Sequence, residues 1–87
     1  MSMVNKFLEY LEFEKRYSKH TIVSCKTDLL QFDVYLSVLF EVGTEDATHV
    51  MIRSWMVTLV ENGISSRTIN RKKSTLQVFY KYLKAKV

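Results

Sequence analysis

The sequence contains no proline, only two glycines and a single cysteine. Without proline, no position removes a backbone donor or introduces the ring clash that breaks a helix. One cysteine excludes an internal disulfide and a cysteine-based metal site, which fits a reducing compartment. No segment approaches the roughly 20 apolar residues needed to span a bilayer, and the N-terminus lacks a signal-like pattern. We therefore expect a helical, cytoplasmic protein without metal, cofactor, membrane contact or small-molecule substrate.

Length and hydrophobic content together predict one domain. Hydrophobic residues make up 47% of the 87 positions, which is enough to build a core. A chain this short buries only about 60 to 65% of the surface that it exposes when unfolded, so it has room for a single core. The expected architecture is an all-α bundle that covers residues 1–87.

Apolar residues recur at spacings of three and four in four stretches of the chain. These stretches predict four helices, at about residues 3–15, 19–41, 49–62 and 66–85. Ser18, Thr48 and Ser65 precede the last three of them and are residue types that cap helix N-termini. Gly63 can take the left-handed conformation that ends a helix, so a tight turn should join the third and fourth helices.

Charge is distributed unevenly along the chain. Residues 65–86 hold seven of the thirteen basic residues and no acid. Residues 15–26 hold four bases and no acid, whereas residues 27–62 hold six acids and one base. A helix that is only solvated usually mixes charges of both signs. The pattern therefore predicts that the second and fourth helices contact a polyanion, namely nucleic acid.

Five short blocks carry a resemblance to a known family. They are Phe7–Leu11, Tyr17–Thr21, Lys26–Leu29, Gly63–Arg71 and Phe79–Leu83. In this order and spacing, over essentially the whole chain, they resemble the N-terminal core-binding domain of tyrosine recombinases, the phage-integrase and Xer-type enzymes. The resemblance implies a four-helix, SAM-like orthogonal bundle that grips double-stranded DNA while a separate C-terminal domain cuts it.

The resemblance also nominates DNA contacts by position. Near the second helix it nominates Ser18, Lys19, Thr21 and Lys26, and on the fourth helix it nominates Arg67, Asn70, Arg71, Lys72, Ser74 and Lys81. The family usually has an apolar residue four positions after Ile69, where this chain has Lys73. It therefore stays open whether Lys72 or Lys73 faces DNA. Arg67 and Arg71 lie one turn apart, and either can fork onto a guanine edge or bridge phosphates.

The catalytic residues of the family have no counterpart in this sequence. Recombinase chemistry uses a tyrosine nucleophile with a cluster that includes His-x-x-Arg, but Arg53 follows His49 by four residues and His20 has no arginine in register. We expect either a non-catalytic DNA-binding part of a protein that breaks and rejoins DNA in recombination and integration, or a stand-alone relic of such a protein. The family assembles as tetramers, so a homo- or hetero-oligomer on DNA is expected. The alternative is a helical protein-interaction module whose basic face binds an acidic partner.

Overall fold

The computed structural model describes residues 2–86. Its elements are α1 (Ser2–Phe13), α2 (Lys19–Leu39), a short 3-10 turn (Thr44–Asp46), α3 (His49–Glu61) and α4 (Ser66–Lys86). This part of the chain contains no strand, and the helix bounds lie within two residues of the predicted ones. The prediction of a four-helix, all-α fold is therefore confirmed. None of the described helices is long and apolar enough to cross a membrane.

The predicted capping residues form the expected hydrogen bonds. The Oγ atoms accept backbone N–H groups three residues ahead, in the pairs Ser18 with Thr21 at 3.3 Å, Thr48 with Met51 at 3.4 Å and Ser65 with Thr68 at 3.3 Å. Each bond satisfies one of the amides that a helix start leaves without an intrahelical partner. The starts of α2, α3 and α4 are therefore encoded locally.

The end of α3 depends on Gly63, which has a φ of 79°. Its N–H donates to the Val60 carbonyl at 3.1 Å, and the N–H of Ile64 donates to the Leu59 carbonyl at 3.1 Å. This pair of bonds is the Schellman motif, and glycine suits its left-handed position because it has no Cβ. The motif stops α3 and lets α4 begin at Ser66.

Aromatic side chains form the core between the helices. Phe7 of α1 meets Phe79 of α4 edge-on, with ring centroids 5.2 Å apart. The ring centroids of Phe32 of α2 and Trp55 of α3 lie 4.9 Å apart, and Trp55 is only 3% exposed. α2 packs against each of the other three α-helices. It therefore forms the centre of the bundle and lies beside α4, where the basic residues concentrate.

Candidate nucleic-acid interface

The outer face of α4 brings together four of the predicted contacts. Arg67, Asn70, Ser74 and Lys81 are all exposed, and their spacing of three, four and seven places them on one side of the helix. No acid occurs on α4. The face therefore presents two cations with an amide and a hydroxyl between them, a set of groups that can contact phosphate and base edges.

The predicted contacts near the start of α2 divide between two faces. The side-chain oxygens of Ser18 and Thr21 are hydrogen-bonded to each other at 3.0 Å. Thr21 also lines a cleft between α2 and α4. Lys19 and Lys26 are exposed and share a face with each other, because they are seven residues apart. At about 100° per residue, that face lies about 200° around α2 from Thr21. The structure therefore joins Thr21 to the α4 surface but leaves Lys19 and Lys26 on a separate face of α2.

A cleft of about 400 Å³ lies between α1, α2 and α4. Its lining includes the apolar side chains Phe7, Leu11 and Val78. Polar side chains also line it: His20, Thr21, Ser24, Arg71 and Ser74. Three residues predicted from sequence to contact DNA, on two different helices, therefore meet at one concave site with an apolar component.

Beneath this cleft, Asp28 of α2 accepts hydrogen bonds from three side chains of α4. Asp28 is fully buried. Its Oδ1 accepts hydrogen bonds from the Arg71 guanidinium and the Lys72 ammonium, both at 2.9 Å, and its Oδ2 accepts one from Thr75 Oγ1 at 3.2 Å. Lys72 also donates to Gln31 Oε1 at 2.6 Å. Two cations thus share one carboxylate, and the cluster keeps a net positive charge.

Lys72 lies in the interior rather than on the surface expected of a DNA contact. Its side chain is only 6% exposed, and its ammonium lies 5.9 Å from the centroid of the Trp55 ring. The neighbouring Lys73 is exposed and lines a depression that also includes Asn70. Of the two lysines whose orientation stayed open, Lys73 is the one that faces solvent.

The buried ion cluster was missed by sequence reasoning, although the spacing carried a signal. Asp28 falls between Cys25 and Phe32 on the apolar stripe of α2, at steps of three and four. Lys72 falls between Ile69 and Leu76 on the stripe of α4 in the same way. Opposite charges at interior positions of two helices indicate a buried pair, because an unpaired buried charge is strongly destabilising.

Two titratable side chains near the helix contacts are shifted toward their neutral forms. Burial raises the pKa of the Cys25 thiol, whose Sγ lies 3.8 Å from Thr75 Oγ1, and the charge of Asp28 acts in the same direction. Burial also raises the pKa of the Tyr80 phenol, which donates to the Thr44 carbonyl at 2.6 Å. Both groups stay protonated at neutral pH, so neither is primed as a nucleophile.

Comparisons with known proteins match nearly the whole chain. A family model described as phage integrase, N-terminal SAM-like domain, matches residues 4–86. Tyrosine recombinase XerC of Bacillus licheniformis is 42% identical over 77 residues, which cover 88% of this chain and 25% of the relative. Tyrosine recombinase XerD of Rickettsia bellii is 40% identical over 83 residues, or 95% and 27% of the two chains. The chain thus spans about a quarter of the length of these relatives. No solved structure matches it.

Proposed function

The chain belongs to the family of phage integrase N-terminal SAM-like domains, and from this premise we propose that it binds double-stranded DNA as the core-binding domain of a tyrosine recombinase. The observation that supports the proposal is the acid-free outer face of α4, with Arg67 and Lys81 exposed on one side. In the parent protein, a separate domain breaks and rejoins DNA in recombination and integration.

The position of Arg67 is unfavourable without an anionic partner. It lies in the first turn of α4, where a cation opposes the helix macrodipole by about 0.3 to 1 kcal/mol. Among the described residues, no carboxylate forms an ion pair with it. A phosphate at this end of the helix provides a negative charge to pair with Arg67 and also accepts hydrogen bonds from its guanidinium.

The proposed contacts fall into two groups. Arg67 and Lys81 neutralise phosphates and fix the register of the duplex, whereas Asn70 and Ser74 lie between them and face base edges. The hydroxyls of Ser18 and Thr21 contact the backbone where the duplex passes the start of α2. Lys19 and Lys26, on a separate face of that helix, add electrostatic attraction to the duplex. Lys72 takes no part, because its ammonium is held in the interior.

Salt dependence tests this proposal. Binding of a short fluorescent duplex is measured by anisotropy between 25 and 200 mM NaCl, a range in which phosphate contacts give a log-log slope of about 0.9 per contact. Arg67→Ala should lower the slope by about 1. Lys6→Ala is the matched control, because Lys6 is an exposed cation on α1 in a depression that also includes Glu9 and Glu14.

Two results would contradict the proposal. The first is binding whose slope is the same for Arg67→Ala, Lys6→Ala and the unmodified chain. The second is displacement of the duplex by an acidic polypeptide of equal charge concentration as effectively as by unlabelled duplex. That second result would favour a protein-interaction module with an acidic partner, because such a partner offers negative charge without the spacing of phosphates.

In the parent protein, we propose assembly as a homo- or hetero-oligomer on DNA. Phe13 at the end of α1 supports this arrangement, because this aromatic residue is 72% exposed and would be buried at a subunit contact. Sedimentation of the parent protein on a duplex that carries its site should show a complex with several protomers. Phe13→Ser should reduce that complex to bound monomers, and an unchanged complex would remove Phe13 from the contact.

A further inference from the structure

The proposed interface contains two arginines one turn apart on α4, and their surroundings in the structure differ. Resting on the proposed function, we infer that Asp28 is a positioning residue that fixes Arg71 at the wall of the cleft to read a guanine. Arg67 then contacts phosphate without reading sequence. Sequence alone allows either role for both arginines, whereas this inference assigns base reading to Arg71 and phosphate contact to Arg67.

The bond between Arg71 and Asp28 is not needed to neutralise the buried carboxylate. Lys72 already does so at 2.9 Å from inside the core, where its side chain is 6% exposed. Arg71 approaches the same Oδ1 at 2.9 Å from the solvent side, with half of its side chain exposed. Its contact with Asp28 therefore has a geometric consequence: one end of the guanidinium is fixed while the rest faces outward.

A guanidinium held in this way is suited to base reading. It has five N–H donors in a rigid fork, and only one nitrogen is engaged by Asp28. A guanine edge offers the O6 and N7 acceptors that such a fork matches. Because Asp28 already orders the Arg71 side chain, little further side-chain entropy is lost when the base is contacted.

The surroundings of Arg71 favour a base over a phosphate. The cleft that it lines has Phe7 and Leu11 in its lining and Thr21 and Ser74 beside them. A cleft volume of about 400 Å³ leaves room for a base edge beside the guanidinium.

Selection from a random-sequence duplex library, read by sequencing, tests the role of Arg71. The unmodified chain should enrich guanine at one position. Arg71→Ala and Arg71→Lys should both lose that preference by about 5- to 150-fold, since lysine keeps the charge but lacks the fork. Arg67→Ala should weaken binding to all sequences alike. A guanine preference that survives Arg71→Lys would overturn the inference.

The role of Asp28 is tested in a background where the core stays neutral. Replacing both fully buried charges, as Asp28→Leu with Lys72→Met, leaves no unpaired charge in the core and only the half-exposed Arg71 without its partner, and such replacements often keep a protein folded. Lys72→Met alone is the matched control, because Arg71 and Thr75 still bond to Asp28. The control should keep the guanine preference, and the double variant should lose it as Arg71→Ala does, with its affinity for duplexes that lack the preferred guanine within about threefold of the control. Equal preference in the two variants would overturn the inference.

A measurement on the unmodified chain makes the test independent of variant folding. Side-chain nitrogen NMR should show slow rotation of the Arg71 guanidinium, with separate Nη signals, and fast averaging for Arg67. Averaged signals from Arg71 would overturn its positioning by Asp28. Failure of the whole proposed function has a different signature: it is the absence of salt-sensitive duplex binding, whereas salt-sensitive binding without any base preference overturns the present inference alone.

Discussion

The ion cluster at Asp28 illustrates how one buried residue depends on partners from another helix. Asp28→Ala would leave Lys72 in the core with only the uncharged Gln31 as a bonded partner. We expect it to lower the free energy of unfolding by about 3 to 5 kcal/mol, because one buried charge loses its counter-ion. Urea unfolding monitored by far-ultraviolet circular dichroism measures this loss.

The matched variant is Lys72→Met, which keeps two hydrogen bonds on Asp28, from Arg71 and Thr75. Its destabilisation should stay below about 2 kcal/mol, because methionine fills much of the same volume and the carboxylate remains paired. If Asp28→Ala were no more destabilising than Lys72→Met, the cluster would not be held together by charge.

The raised pKa of Tyr80 predicts that the stability of the fold decreases at alkaline pH. Its pKa is raised in the folded protein, first by burial and then by the charge of Glu45. The protonated phenol therefore stabilises the fold below the unfolded-state pKa of about 10, and this contribution is lost as the pH rises above that value. Unfolding in urea at pH 7, 9, 10 and 11 should show a steeper alkaline loss for the native chain than for Tyr80→Phe.

At neutral pH, Tyr80→Phe should be less stable by about 0.5 to 1.5 kcal/mol, since the hydrogen bond to the Thr44 carbonyl is removed. Tyr17→Phe serves as the control for removing an exposed hydroxyl. An alkaline loss of equal steepness in the native chain and Tyr80→Phe would contradict the link between Tyr80 ionisation and folding.

At the scale of the element, the two glycines provide a matched pair. Gly63 has a φ of 79° and ends α3, so Gly63→Ala places a Cβ in a left-handed conformation, which costs about 1 to 2 kcal/mol. Gly43 has a φ of −89°, which other residues adopt, and a Cβ there would meet only the flexible Glu45 carboxylate at 3.4 Å. The thermal unfolding midpoint of Gly63→Ala should therefore lie below that of Gly43→Ala. Equal midpoints would contradict the requirement for glycine at the end of α3.

The helices and caps were predictable because their signals are local. Ser18 and Ser65 bond to amides three residues away, and the apolar stripes repeat within single helices. The pairing of Asp28 with Lys72 spans 44 residues, so it depends on how α2 lies against α4. Nothing local to either helix specifies that placement.

The candidate site was predictable only in part for the same reason. The spacing of Arg67, Asn70 and Ser74 fixes their shared face on α4. The cleft, however, forms only when α1, α2 and α4 pack together. Lys19 lies outside it, on a separate face of α2, because of the rotation of that helix in the bundle. Sequence identified which residues are basic, and tertiary packing determined which of them share a surface.

At the scale of the whole molecule, α4 holds seven of the thirteen bases, while six acids fall in residues 27–62. The chain carries a formal net charge of +4. A single domain with few phosphate contacts should bind duplex in the non-specific range, with a dissociation constant on the order of 1 to 100 μM at physiological salt. Isothermal calorimetry at two duplex sequences checks this range, and nanomolar affinity for both would require a larger surface than α2 and α4 provide.

The central claim is that duplex DNA contacts the start of α2 and the outer face of α4. A backbone NMR titration with a short duplex, at low and moderate salt, tests it most directly. We predict that amide shifts concentrate in residues 18–26 and 65–81, weaken with salt and decrease sharply when Arg67→Ala and Arg71→Ala are combined. Shifts that map to α1 and α3, or no shifts at all, would contradict the account.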